Sequence, residues 1–269
     1  MYRELSGRSG EAASLTNLGS AYLGLGQYQK AIEFHQQSLG IFQAIGDSNE
    51  EANSLNNLGI TYDSLGQYER AIEFYQQSLA IFRDFGDRYG EANSLGSLGN
   101  AYSRLGQYEK AIEFYQQSLA IDREIGDHNG EAGSLGNLGS AYSGLGQYQK
   151  AIEFHQQSLV IKREIGDHNG EAGSLGNLGN VYRSLGQYQK AIEFHQQSLA
   201  IFRDLGNRRG EAIFLNNLGD ALFLAGKPRE AEAKLRKAID IYESLRIQLK
   251  QDQDKVSFFD RYLGAFRVL

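Results

Sequence analysis

Apolar residues recur along this chain at spacings of three and four, in blocks that restart every 40 residues. Between Asp47 and Gly86, Ala52, Leu55, Leu58, Gly59 and Tyr62 fall on one face of a helix. Tyr68, Ala71, Ile72, Tyr75, Leu79 and Phe82 fall on one face of a second. The second helix has a polar face of Gln67, Arg70, Glu73 and Gln77, where Arg70 and Glu73 are spaced for an ion pair. Asp47 stands where an N-cap belongs, with Glu50 and Glu51 in the first turn. Gly66 and Gly86 stand where the two helices end. The unit predicted is helix, short turn, helix, short turn.

The stretch from Leu25 to Leu39 returns nearly unchanged at Leu65, Leu105, Leu145 and Leu185, with a degenerate copy at Ala225. Such a period predicts an array in which each unit packs on its neighbours. Six units are expected over 10–49, 50–89, 90–129, 130–169, 170–209 and 210–249. Residues 1–9 align with the end of a second helix and read as the remnant of a preceding unit. Residues 250–269 read as a further C-terminal helix, with Asp254 as its cap. Small residues paired at Gly19/Ala31, Gly59/Ala71, Gly99/Ala111, Gly139/Ala151, Gly179/Ala191 and Gly219/Ala231 predict close approach of the helices in each pair. Gly139 and Gly179 are expected to be needed for that packing, while Gly136 and Gly176 look replaceable by alanine.

Leu55-x-x-Leu58-Gly59-x-x-Tyr62, followed by Ala71-x-x-x-Tyr75 and Ser78, resembles the tetratricopeptide repeat signature. The usual opening Trp is replaced by Leu15, Leu55, Leu95, Leu135 and Leu175. The 40-residue period with its Gly-Asp-x-x-Gly-Glu connection is similar to Pins/LGN-type scaffold arrays and to the arrays ahead of bacterial CHAT domains. The Lys-Val-Ser-x-Phe stretch from Lys255 is similar to the lead-in to a CHAT domain. The resemblance implies an all-α, right-handed superhelix (α-solenoid) of six helix-turn-helix repeats plus a C-terminal helix.

Composition narrows the chemistry. The 269 residues carry a formal net charge of −6 and gather no basic stripe, which argues against a nucleic-acid partner. No run of about 18 apolar residues appears, so no membrane insertion is expected. The absence of cysteine excludes disulfides and thiolate chemistry and fits a reducing, cytoplasmic setting. A single proline, Pro228, suits a helical chain; it falls in the first turn of a helix, where proline is tolerated. His35, His155 and His195 occupy the position of Tyr75 and Tyr115 and read as packing between repeats rather than as metal ligands. His128 and His168 read as exposed turn residues. Asp127/Glu131 and Asp167/Glu171 have too few alternating oxygens for a calcium loop and read as caps. The glycines of 133–144 follow no strand and precede no Gly-Lys-Ser/Thr, so they form no phosphate loop. No catalytic residue, cofactor or metal is expected, and the chain reads as a non-enzyme.

In the family, the first helix of each repeat lines a concave groove. Aligned copies give one column of Asn17, Asn57, Ser97, Asn137, Asn177 and Asn217. A second holds Ser20, Ile60, Asn100, Ser140, Asn180 and Asp220, and a third Leu23, Asp63, Ser103, Ser143, Arg183 and Phe223. An amide both donates and accepts, which suits a peptide backbone. Asp63, Arg104, Arg183 and Phe223 are expected to discriminate between ligands. The Lys and Arg of a carboxylate clamp for chaperone C-termini are not matched. The expected role is a protein-interaction scaffold that binds an extended peptide or a helix of another protein. Its rivals are a recruiting arm of a longer CHAT-type protease and a self-assembling array. Self-association is expected through uncapped apolar ends, near Leu15 and Leu18 and at Phe266, Val268 and Leu269.

Overall fold

The computed structural model describes residues 2–248; the expected helix over 250–269, the CHAT-like stretch and the apolar tail lie outside them. The described chain is all-α and contains twelve helices. It divides into two compact units, the first ending at Gly144 and the second beginning at Leu145. The first unit holds α1 (Tyr2–Gly24), α2 (Tyr28–Ile45), α3 (Ser48–Ser64), α4 (Tyr68–Phe85), α5 (Arg88–Arg104), α6 (Tyr108–Ile125) and α7 (His128–Gly144). The second holds α8 (Tyr148–Glu164), α9 (His168–Ser184), α10 (Tyr188–Asp204), α11 (Arg208–Leu224) and α12 (Pro228–Gln248). Within each unit every helix packs on the next in sequence, and first helices of neighbouring pairs also meet, α3 on α5 and α9 on α11. This is the packing of an α-solenoid.

Two kinds of turn alternate. Leaving α3, Gly66 takes φ 80°, and the Gln67 N–H donates back to the Tyr62 carbonyl at 2.9 Å. Leaving α4, Gly86 takes φ 77° and Asp87 N–H reaches the Phe82 carbonyl at 2.9 Å, satisfying an orphan end group. Aspartate then caps the next helix: Asp47 accepts from Glu50 N–H at 3.2 Å and Asp87 from Gly90 N–H at 3.0 Å. Asp127 and Asp167 cap α7 and α9 through Gly130 and Gly170 in the same way. Arg83–Glu91 at 2.8 Å and Arg203–Glu211 at 2.9 Å tie the second helix of a pair to the first helix of the next. Arg70 stacks over the Tyr62 ring, 5.4 Å from its centroid, and donates to Gln67, in place of the expected Glu73 pair.

Two departures from expectation have local causes. Helix α1 runs without a break through the stretch aligned with the Gly86–Asp87 turn. Ser6 and Gly7 stand there, so the glycine that takes positive φ and the capping carboxylate are both missing. Gly176 is not replaceable: a Cβ there would lie 2.1 Å from the Phe214 ring, which is itself buried. Gly133 and Gly173 have open space instead.

The core repeats as well. Ala52, Ala92, Ala172 and Ala212 are fully or nearly fully buried, and so are Leu58, Leu98, Leu178 and Leu218. Leu18, in the same register, is exposed. A buried serine seam crosses the interfaces: Ser78 donates to the Ala52 carbonyl at 2.9 Å and pairs with Ser94 at 3.2 Å. Ser118 donates likewise to Ala92 and lies 3.2 Å from Ser134. Because these hydroxyls are sealed from water, sliding one helix along its neighbour would orphan them, so the seam holds the register.

Candidate functional site

Glycine positions the side chains that stand behind the first helices. A Cβ on Gly59 would lie 2.4 Å from the Tyr75 ring, and one on Gly99 would lie 2.5 Å from Tyr115. The expected close approach is therefore a ring of the second helix seated on the first helix of the same pair. His35 sits on Gly19 and His195 on Gly179 in the same manner. His35 and His195 thus seat on the first helix of their own pair, and His195 also meets Phe214 of the next repeat, as expected, with ring centroids 6.1 Å apart. The ring nitrogens of His35, His155 and His195 are buried without a partner, apart from one nitrogen of His155. Burial pulls His155 and His195 down to about 4, with the Arg183 cation adding to the effect at His195. Burial lowers His35 as well.

In the first unit these rings reach polar groups on the first-helix face. The Tyr115 hydroxyl donates to Asn100 Oδ1 at 2.8 Å. Arg104, one turn along α5 from Asn100, forms an ion pair with Asp63 on α3, its Nε 3.2 Å from Asp63 Oδ2. Asp63 Oδ1 is buried and has no hydrogen-bond partner. Burial raises the Asp63 carboxyl while Arg104 opposes the rise. Burial also raises the phenols, Tyr115 to about 12 and Tyr75 further, with the Asp63 charge acting in the same direction on both. The structure thus brings Asp63, Asn100 and Arg104 together and adds two tyrosines and Ser103 to them.

In the second unit Arg183 on α9 acts electrostatically on both Asp220 of α11 and His195 of α10. Burial raises Asp220, and Arg183 opposes it. Phe223 is exposed at the end of α11, with Leu224 beside it. Asn17 on α1 is exposed; Asn57 on α3 and Asn137 on α7 are half-buried in the first unit. Asn177 and Asn180 on α9 and Asn217 on α11 are half-buried in the second. Among the described residues, Asn100 alone of these asparagines has its side chain in a hydrogen bond within the chain. Sequence columns single out the asparagines and include Asp220 without giving it a role, while Tyr75 and Tyr115 lie outside the columns. The signal was there: the ring position alternates between Tyr and His, and only tyrosine carries a hydroxyl far enough from the backbone to reach the first-helix face. Among the described residues, no three His, Asp or Glu side chains converge as metal ligands. No described helix is long and apolar enough to cross a membrane.

Residues 10–84, 90–164 and 170–244 match the Tetratricopeptide repeat family. The chain belongs to the tetratricopeptide repeat family. Solved structures agree with the fold. A putative kinesin light chain from Podosopora anserina with nearly identical TPR-like repeats is 28% identical, covering 74% of this chain and 97% of that one, with a TM-score of 0.61. BtubC from P. vanneervenii is 20% identical over 84% of this chain and 92% of its own, at a TM-score of 0.68. Aspartyl phosphate phosphatase F from Bacillus subtilis is 17% identical over 96% of this chain and 67% of its own, at 0.77. No curated protein sequence matches significantly. As a tetratricopeptide repeat protein, the chain is a protein-interaction scaffold by fold and family.

Proposed function

We propose that this tetratricopeptide repeat protein acts without catalysis, holding an extended segment or a helix of another protein against its first-helix faces in a cytoplasmic setting. The observation that carries this reading is the set of amides with nothing to bond. Asn57 and Asn137 in one unit, and Asn177 and Asn217 in the other, recur at one register and keep their donors and acceptors unused among the described residues. A segment laid along such a row brings backbone N–H and C=O groups that need partners once water is excluded. Each amide supplies both kinds. A Rap protein of the same fold has been solved in complex with Competence and Sporulation Factor, at a TM-score of 0.68 and 16% identity, which supports the idea that this architecture can hold a partner.

The test is affinity capture followed by mass spectrometry, then titration of the partner recovered. Asn137→Ala with Asn177→Ala should weaken binding by about 0.5–1.5 kcal/mol per hydrogen bond lost. Glu113→Ala with Glu153→Ala, at exposed positions on second helices, should change it little. Both variants must keep the native circular dichroism. Loss of binding in the glutamate pair with none in the asparagine pair would move the partner to the second-helix side and refute the proposal.

A further inference from the structure

Asn100 and Arg104 share one face of α5, four residues apart, and each is held by a group behind it. The Tyr115 hydroxyl donates to Asn100 Oδ1 at 2.8 Å. That bond fixes which end of the amide faces inward, and it leaves the Nδ2 hydrogens as the outward donors. Arg104 is held through Nε, 3.2 Å from Asp63, while 57% of its side chain stays exposed. The two Nη groups of the guanidinium make no hydrogen bond among the described residues. Donors are therefore left over on both residues at an exposed face, and the Asp63 carboxylate beneath meets Arg104 through Oδ2 alone.

The surroundings sharpen the preference. Within the first unit, the three columns aligned with Asn17, Ser20 and Leu23 contain one charged residue, Asp63. A ligand charge passing along this face thus meets the Asp63–Arg104 pair and little else. The chain already uses a guanidinium between two carboxylates: Arg88 lies 2.5 Å from both Glu91 and Glu124. Arg104 has the first carboxylate in place and its remaining donors free. A fork of this kind matches a carboxylate in shape and charge.

We propose that Asn100 and Arg104 form a receptor for a carboxylate side chain, Asp or Glu, on the bound segment, with Asp63 and Tyr115 as positioning residues. This rests on the reading of the first-helix face as the peptide-binding face. The carboxylate takes Arg104 Nη hydrogens and Asn100 Nδ2, while flanking backbone groups meet the unbonded asparagines. Tyr115 matters because a histidine at that place, as in the pair carrying His195 and Asn180, carries no phenol hydroxyl to hold the amide.

The experiment is selection of a displayed library of random linear peptides on the full chain and on single variants, with the recovered pools sequenced. The native chain should enrich Asp or Glu at one position relative to the unselected library. Arg104→Gln should abolish that enrichment and weaken capture of the native pool by about ten-fold, the scale of a charge-assisted bond. Arg104→Glu should reverse it toward Lys and Arg. Tyr115→Phe should reduce it without changing circular dichroism, which a merely structural tyrosine would not do. A native pool with no acidic enrichment, or one rich in Lys and Arg, would overturn the carboxylate receptor while leaving a peptide-binding face standing. A pool whose binding ignores every first-helix substitution, Asn137→Ala and Asn177→Ala included, would overturn the peptide-binding face itself. Recovery of no peptide would overturn both.

Discussion

The buried histidines make the chain sensitive to mild acid. His155 and His195 are 2% and 0% exposed, and both sit near 4 rather than the ordinary 6.5. The folded state resists protonating these rings, because their cations would lie where water does not reach. The unfolded chain takes the proton first as pH falls. Stability is therefore complete above about pH 6.5, is lost between there and about pH 4, and loses nothing further from these groups below that. At pH 5, linkage with these values gives roughly 2 kcal/mol of lost stability per histidine. Arg183 on α9 faces His195 and steepens its loss. Asp63, Asp122 and Asp220 have raised carboxyls and act with the opposite sign, gaining protons more readily in the folded state as pH falls.

Replacing His155 and His195 with tyrosine, the residue at the same place in α4 and α6, isolates the effect. The carboxylates are common to both proteins, so they cancel in the difference. Urea unfolding followed by circular dichroism at about pH 7.5 and about pH 5 should show the native chain losing roughly 4 kcal/mol more than the double variant. At position 195 the new hydroxyl also has Asn180 in the register of Asn100. Imidazole nitrogen shifts in an NMR titration give the ring values directly. Equal loss of stability in both proteins, or both rings titrating near their ordinary value, would refute the reasoning.

Further outcomes follow from single departures between repeats. Gly40→Ala and Gly133→Ala, in helix interiors with nothing near the new methyl, should each add about 0.5–1 kcal/mol in denaturant titration. Gly176→Ala should do the reverse and lower the melting temperature, because Phe214 occupies the space; an increase would show that the ring moves freely. Asp122, 3% exposed, fills the position of the buried Phe82 and Phe202, and its carboxylate accepts from Ser134 at 2.8 Å. Asp122→Phe should stabilise by about 1–3 kcal/mol, more at neutral than at acid pH since burial raises this carboxyl, as read from urea midpoints at the two pH values.

Near-identical repeats divide the information in an unusual way. Whatever recurs is local and could be read directly: the spacing of Leu55, Leu58 and Tyr62, the glycine before each turn, and the aspartate after it. Those features depend on residues within one turn of helix, so the sequence states them outright. What escaped depends on pairs far apart in the chain. Gly173 and Gly176 look alike as letters, yet one faces open space and the other carries the Phe214 ring, 38 residues on. Asn100 and Ser140 look like interchangeable polar residues on one column. Only the pairing of α5 with α6 shows that Tyr115 holds the first. The same holds for Asp63 and Arg104, 41 residues apart and joined because α3 packs on α5. In an array, residues one period apart are spatial neighbours, so a substitution in one copy is answered in the next copy rather than nearby in sequence. Phe214 above Gly176 is such an answer, and so is Arg104 beside Asp63. Departures from the repeat are therefore best read two copies at a time, and in this chain the Asp63–Arg104 pair, read that way, marks the face where ligand selectivity is proposed.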